Sequence, residues 1–218
     1  MTKIKSDLYG YDAAIASVHG IIAGTDEAGR GPLAGPVVAA AVILDPHDII
    51  DGINDSKKLS AVKRERLYDE IVSRAKAWAV AEASPQEIDK VNILNASLGA
   101  MKTSLDKMGV NWDLVLVDGN RNIKGIPDNR QVAVVKGDAT SACIAAASIL
   151  AKVHRDRIMM KLHEQYPLYG FDSHMGYPTE QHRRMLVMHG MSPVHRHSFC
   201  EGILSRAGMD LFDQQRLQ

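Results

Sequence analysis

The sequence predicts an α/β protein: a mixed five-stranded sheet flanked by helices, with a small helical C-terminal part. Three observations lead there. Five short runs rich in Val, Ile or Ala are bounded by Gly, Pro or acids, and helical apolar spacing fills the stretches between them. Their order, three strands, helices, two strands and more helices, reads as a mixed sheet with helices packed on it. A chain of 218 residues can bury about 70% of its unfolded surface as one domain. No repeat or flexible linker divides it, so a single domain is expected, with a core over about 20–165 and the helical part over about 166–218.

The first strand is read over 20–25 and the second over 36–44, "PVVAAAVIL". "LSAVKRERLYDEIVSRAKAW" follows as an amphipathic helix capped near Ser60, with Leu67, Ile71 and Ala75 on one face. "WAVAEA" is the third strand. "SPQE" then combines an N-cap Ser84, a Pro at the first helical position and Glu87 completing a capping box. A further helix over about 93–108 places Leu94, Leu98, Met101, Leu105 and Met108 at alternating spacings of four and three, and Gly109 stops it. "DLVLVDG" and "QVAVVKGD" are the fourth and fifth strands, each ending in an acid. A long helix of small residues over 139–165 halts at Pro167, and "TEQHRRMLVMHG" is a shorter one closed by Gly190.

Composition narrows the function classes. Lys plus Arg equals Asp plus Glu, 26 each, so no global field draws the protein to polyanions, and nucleic-acid binding must come from local basic clusters. The two cysteines, Cys143 and Cys200, are too few for a disulfide framework or a four-cysteine zinc site. No run of eighteen apolar residues occurs, so membrane spanning is not expected and a cytoplasmic location is the default. The "NAS" beginning at Asn95 is a glycosylation sequon by letters alone.

Acids stand at strand ends, where sites of open α/β sheets form: Asp26 and Glu27 after the first strand, Asp118 after the fourth, Asp138 just past the fifth. A single Asp there is as readily a turn former. Four together point to a shared site, because clustered carboxylates repel and a bound cation relieves the repulsion. Oxygen ligands without His or Cys select Mg2+ or Mn2+, and two such ions serve phosphodiester chemistry. "GRGPLA", residues 29–34, formally matches the dinucleotide fingerprint of an NAD(P)-binding oxidoreductase. That fingerprint requires a helix directly after the glycines, whereas Pro32, Pro36 and a strand-like run follow here. Gly29 and Gly31 instead let backbone amides approach a sugar or phosphate closely, with Arg30 available to an anion.

With these segments placed, the chain resembles type 2 ribonuclease H, the bacterial ribonuclease HII family. "DEAGRG", "NDSKKLS", "ASPQEID", "NILNA", "VDGNR", "VVKGD", "AAASILAKVHRDR", "YPLYGFDSHMGYPT" and "VHRHSF" occur in that order between about 20 and 202. The resemblance implies a ribonuclease H-like mixed sheet with a helical C-terminal part. It also implies Mg2+- or Mn2+-dependent endonucleolytic cleavage of RNA in RNA/DNA hybrids, including 5′ to single ribonucleotides embedded in duplex DNA, by a protein that is ordinarily a monomer. Carried over, Asp26, Glu27, Asp118 and Asp138 resemble the metal ligands and catalytic carboxylates. Asp26 would bridge two ions, with Glu27 and Asp118 on one side and Asp138 on the other. Gly29, Arg30 and Gly31 resemble the turn that reads the 2′-hydroxyl. Tyr177 resembles the tyrosine that packs on the neighbouring deoxyribose, and Lys57 a substrate-phosphate contact. Met175 and His197 depart from the family, which commonly has Lys and Arg there, and this implies weaker basic contacts to the duplex.

The type 3 ribonuclease H is a related alternative that usually carries an extra N-terminal binding domain. The first nineteen residues and the tail beyond 203 receive no role. Five histidines from His174 to His197 fit no closed zinc set and are expected on the surface or facing the duplex. Asp156 sits in a helix between two arginines, where local ion pairing is the first expectation and orientation of the site the second. Lys152, Arg155 and Arg157 are read as a solvated helix face.

Overall fold

The computed structural model describes residues 5–216, with side chains described over 8–208. Five strands, β1 (Ile22–Ala28), β2 (Val37–Ile43), β3 (Ala77–Ala83), β4 (Leu114–Asp118) and β5 (Gln131–Val134), form one sheet in the order β3-β2-β1-β4-β5. β1 pairs antiparallel with β2 and β2 with β3, whereas β4 runs parallel to β1 and β5 parallel to β4. The mixed five-stranded sheet read from the sequence is therefore the sheet observed. Because β1, β4 and β5 are parallel, their carboxyl ends lie at one edge, and the acids of "TDEA", "LVLVD" and the segment after β5 are delivered there.

Helices cover both faces. On one, α1 (Lys5–His19), α2 (Ala61–Arg74) and α5 (Ala142–Gln165) pack on Val38, Ala40 and Val42 of β2. On the other, α3 (Pro85–Val91) and α4 (Ile93–Lys107) cover Val37, Ala39, Ala41 and Ile43. Burial on both faces is why β2 reads as a continuous apolar run with no alternation. Ser60 and Ser84 cap α2 and α3 through side-chain oxygens that accept from Lys63 and Glu87 amides. Asn92, at φ 66°, makes the sharp break between α3 and α4 and caps the latter.

The alanines of α5 allow it to sit unusually near the sheet. A Cβ on Gly24 of β1 would lie 2.3 Å from the Cys143 carbonyl carbon, so only glycine fits where β1 runs under this helix. The first turn of α5 is capped twice: Ser141 accepts from the Ile144 amide, and Asp12 of α1 accepts from the Cys143 amide at 2.8 Å. The N-terminal stretch, silent in the sequence, is thus a helix tied to the core, with Tyr9 also accepting from the Ile50 amide. Beyond α5 the chain forms α6 (Phe171–His174), α7 (Glu180–His189) and α8 (His197–Arg216). The first two flank a tight turn at Gly176, and α6, α7 and α8 make up the helical C-terminal part expected over about 166–218, although no local spacing marked α8 itself.

Candidate active site

The first strand extends further than the sequence reading placed it. Pairing with Val38 and Ala39 carries β1 through Ala28, so Asp26 and Glu27 lie inside the strand and not after it. Successive strand residues face opposite sides. Asp26 therefore faces α5, at 3% exposure, while Glu27 faces α4 and the cleft beside it. The register Thr25 opposite Val117 puts Asp118 next to Asp26 on the adjacent parallel strand.

Burial raises the Asp26 carboxyl well above the ordinary value, and repulsion from Glu27 and Asp118 adds to the rise. The Glu27 amide, 2.7 Å from Asp26 Oδ1, and the Ser148 hydroxyl oppose it. Ser148 Oγ in turn lies 2.7 Å from Ser56 Oγ, which ties the segment "NDSKK" to the wall behind Asp26. Burial also raises Glu27, with Arg30 opposing and Asp118 reinforcing. Arg30 Nη1 sits 3.3 Å from Glu27 Oε1.

Asp118 closes β4 and accepts from the Gly137 amide at 2.7 Å, so its position is coupled to the tight turn that carries Asp138. That turn begins at Lys136, which takes a left-handed φ of 56°, and contains a short 3-10 segment, Gly137–Ala139. Burial raises the Asp138 carboxyl, Lys57 opposes, and Asp55 and Asp118 add repulsion. Lys57 Nζ is 3.3 Å from Asp138 Oδ2. Asp55 holds that lysine's backbone by accepting from the Lys57 amide at 2.9 Å.

The glycine-rich turn is held from beneath by two arginines. Arg155 of α5 donates to the carbonyls of Pro36, Ala34 and Met175, and Arg196 donates to those of Gly35, Arg30 and Gly29. They are 1% and 0% exposed and are the largest fully buried side chains among the described residues. The expectation of a solvated face thus fails for Arg155, because its guanidinium has three well-placed main-chain acceptors of its own. Desolvation costs several kcal/mol per buried ion. Hydrogen bonds to a charged donor return about 1.5 to 3 kcal/mol each, so three per arginine offset that cost. Burial pushes both groups down, to about 10 for Arg155 and about 9 for Arg196, and both stay cationic at neutral pH. Gly29, at φ +96°, has no room for a Cβ, which would meet Arg155 Nε at 2.0 Å.

Tyr177 stands beside this turn, 41% exposed, with the Arg155 guanidinium 5.9 Å from its ring centroid. A Cβ on Gly31 would meet its ring edge at 3.7 Å, an ordinary contact. The structure therefore brings Gly29, Arg30, Gly31 and Tyr177 to one place, and Asp26, Glu27, Asp118, Asp138 and Lys57 along the adjoining sheet edge. A cleft of about 230 Å³ opens beside Glu27, Arg30 and Asp118, lined also by Ser97, Asn120 and Arg121 among others. A larger cleft of about 320 Å³ at the far end of the sheet is lined mainly by apolar groups such as Ile21, Ile22, Leu44 and Val110 and has no acid cluster.

The histidines divide. His174, His182 and His195 are buried, contrary to the surface placement expected from sequence. His174 stacks on His182, and His182 Nε2 lies 3.0 Å from His195 Nε2. They fill the space around Phe171 and Tyr169 under the Gly176 turn, and His182 Nδ1 is 2.9 Å from the Tyr177 carbonyl. His197 is exposed and pairs with Glu201 at 2.8 Å. Met175, at φ 50°, packs among the apolar groups under the turn and offers its carbonyl to Arg155. Asp156 is indeed ion-paired, but with Lys152 at 2.5 Å and Arg64 at 3.9 Å and not with its flanking arginines. Ser148, Ser56, Arg155 and Arg196 were missed in the sequence as parts of the site. The only local signal for Ser148 is a hydroxyl amid "AAASILA".

Among the described residues no three acidic, imidazole or thiol side chains form a preassembled metal cage. The carboxylates are arrayed along the edge, each engaged by a cation or an amide. The donor set is nonetheless oxygen-only, and three of its members are raised by burial with mutual repulsion contributing, which is the chemistry that a hard divalent cation relieves. The residues fit such an ion.

The family model described as ribonuclease HII matches residues 23–202. Ribonuclease HII 1 of Methylibium petroleiphilum is 58% identical over 179 residues, covering 82% of this chain and 89% of the relative. Ribonuclease HII of Dechloromonas aromatica is 60% identical over 181 residues, covering 83% and 91%. Among solved structures, ribonuclease H2 from Pyrococcus horikoshii OT3 superposes with a TM-score of 0.69 at 27% identity, over 86% of this chain and 98% of that one.

Proposed function

The chain belongs to the ribonuclease HII family, and from that premise we propose that it cleaves 5′ to single ribonucleotides embedded in duplex DNA. It is a ribonuclease that hydrolyses the RNA strand of RNA/DNA hybrids, with the divalent-metal dependence typical of that family. The observation that carries the finer reading is the adjacency of two sets of groups. Buried, mutually repelling carboxylates stand on the strand ends, and a rigid glycine turn with Tyr177 stands directly beside them.

In this reading Asp26, Glu27, Asp118 and Asp138 hold two divalent ions, Mg2+ or Mn2+. When bound, such ions supply a nucleophile at neutral pH and neutralise charge developing on the phosphate. The remaining work is done by the chain itself. Gly29, Arg30 and Gly31 present main-chain donors to the 2′-hydroxyl, which is the group that separates RNA from DNA. Tyr177 offers an exposed ring face to the next sugar. Lys57, released from Asp138 when that carboxylate is neutralised otherwise, is free to meet a backbone phosphate as a point charge. The serine pair Ser56 and Ser148 keeps Asp26 oriented. The products would be a 3′-hydroxyl and a 5′-phosphate.

The test is incubation with duplex DNA bearing one ribonucleotide, with Mg2+, with Mn2+ and with neither, followed by mapping of the cut. Cleavage immediately 5′ to the ribonucleotide with either metal is expected. Cleavage of long hybrids alone would confine the protein to the coarser activity, and no cleavage of either substrate would overturn the assignment of these carboxylates.

A further inference from the structure

Arg155 and Arg196 are more than filling for the core. The peptide group is planar and trans, so a carbonyl pointing one way forces the next residue's N–H to point the other. Arg196 draws the carbonyls of Gly29 and Arg30 inward, at 2.6 and 3.0 Å. The amides of Arg30 and Gly31, both exposed residues, are thereby turned away from the buried guanidinium, and among the described residues neither has a protein acceptor. Arg155 performs the complementary task. Its bonds to Ala34, Pro36 and Met175 join the end of the glycine turn to the turn that bears Tyr177. The Leu33 amide donates to the Gly176 carbonyl at 2.8 Å, and the Arg196 amide to Leu33, which close the same unit. Neither guanidinium has a carboxylate within salt-bridge distance among the described residues.

We propose that Arg155 and Arg196 are positioning residues for ribonucleotide selection, one orienting the amides that meet the 2′-hydroxyl and the other fixing the distance from those amides to Tyr177. The proposal rests on the functional reading above. It assigns selectivity to two buried side chains that never touch substrate. It also explains why a fork-shaped donor is needed: each of the three carbonyls is met by a different guanidinium nitrogen, whereas lysine carries its three donors on one nitrogen and cannot span them.

The experiment measures binding without cleavage. Affinities for a duplex bearing one ribonucleotide and for the matching all-DNA duplex are compared in chelator, by fluorescence anisotropy, for wild type, Arg196→Lys and Arg155→Lys. Circular dichroism reports folding. Wild type should prefer the ribonucleotide duplex at least tenfold. The folded lysine variants should keep their affinity for all-DNA duplex and lose most of that preference. A purely structural role would weaken both duplexes alike. Equal preference in a folded Arg196→Lys variant overturns the proposal, whereas absence of preference in wild type overturns the underlying reading of the turn. If both variants fail to fold, amide resonances of Arg30 and Gly31 in wild type decide. They should shift with the ribonucleotide duplex and not with all-DNA duplex, and identical shifts with both overturn the proposal.

Discussion

Asp118 is a side chain whose removal separates chemistry from architecture. It ends β4 and accepts one amide, so Asp118→Asn keeps the shape and much of the hydrogen bonding but loses the charge. Turnover should fall more than a hundredfold, beyond the roughly 10- to 100-fold scale seen when even an outer partner of a metal ligand is lost, while hybrid binding in chelator is retained. An unchanged rate would take Asp118 out of the reaction. Ser148→Ala tests the support behind Asp26, and weakening of Mn2+ binding by about 10-fold or more is expected by calorimetry. The glycines divide in an equally sharp way. Gly29→Ala combines a left-handed backbone with collision against Arg155 and should cost roughly 2 to 5 kcal/mol. Gly31→Ala meets only an ordinary contact and should change stability by less than about 0.5 kcal/mol. Thermal or denaturant unfolding of the two variants distinguishes them.

The segment from α6 to α8 is organised around neutral imidazoles. Burial pushes His195 down to about 4, with His182 adding to the effect, and lowers His182 and His174 as well. A base depressed in the folded state contributes stability above its unfolded value near 6.5, and this is lost as pH falls toward the folded value. For His195 the loss is about 2 kcal/mol by pH 5. Unfolding curves in chelator should therefore show wild type weakening between pH 7 and pH 5, with His195→Asn showing a shallower decline. Parallel declines would mean that His195 is not held neutral. Sequence could not supply this element's character. A histidine reads as polar in any one-dimensional pattern, and only the Gly170 and Gly176 turns bring His174, His182 and His195 against Phe171. The starts of α2 and α3 and the extent of α4, by contrast, were legible, because Ser60, Ser84 and Gly109 mark them with local chemistry. α2 itself stops at Arg74, short of the Trp78 read from the sequence, because Ala75 is extended and Ala77 already pairs in β3.

At the level of the whole molecule, the parallel pairing of β1, β4 and β5 converts separate sequence motifs into a single charged edge, and that edge opposes stability. Asp26 is an acid raised in the folded state, so its penalty is complete above its folded value and vanishes below the ordinary carboxylate value near 3.8. Asp26→Asn should then melt higher than wild type at pH 7.5 in chelator, with the gap narrowing on acidification and shrinking when divalent ions are added. A variant less stable than wild type throughout would contradict the electrostatic account. The acids themselves were visible in the sequence because each follows an apolar run. Arg155 and Arg196 were not, because a charged residue is buried only when distant carbonyls converge on it, and the carbonyls of residues 29–36 carry no signature in the side-chain alphabet.

The Asp12 cap on α5 bears on how such a protein is cut into pieces for study. The family match begins at residue 23, and a clone trimmed to that boundary would discard Tyr9 and Asp12. The Cys143 amide would then lose its acceptor at the start of the helix that carries Ser148 and Arg155. Homology marks where ancestry is recognisable; in this chain the contacts that close the start of α5 reach back earlier, to α1.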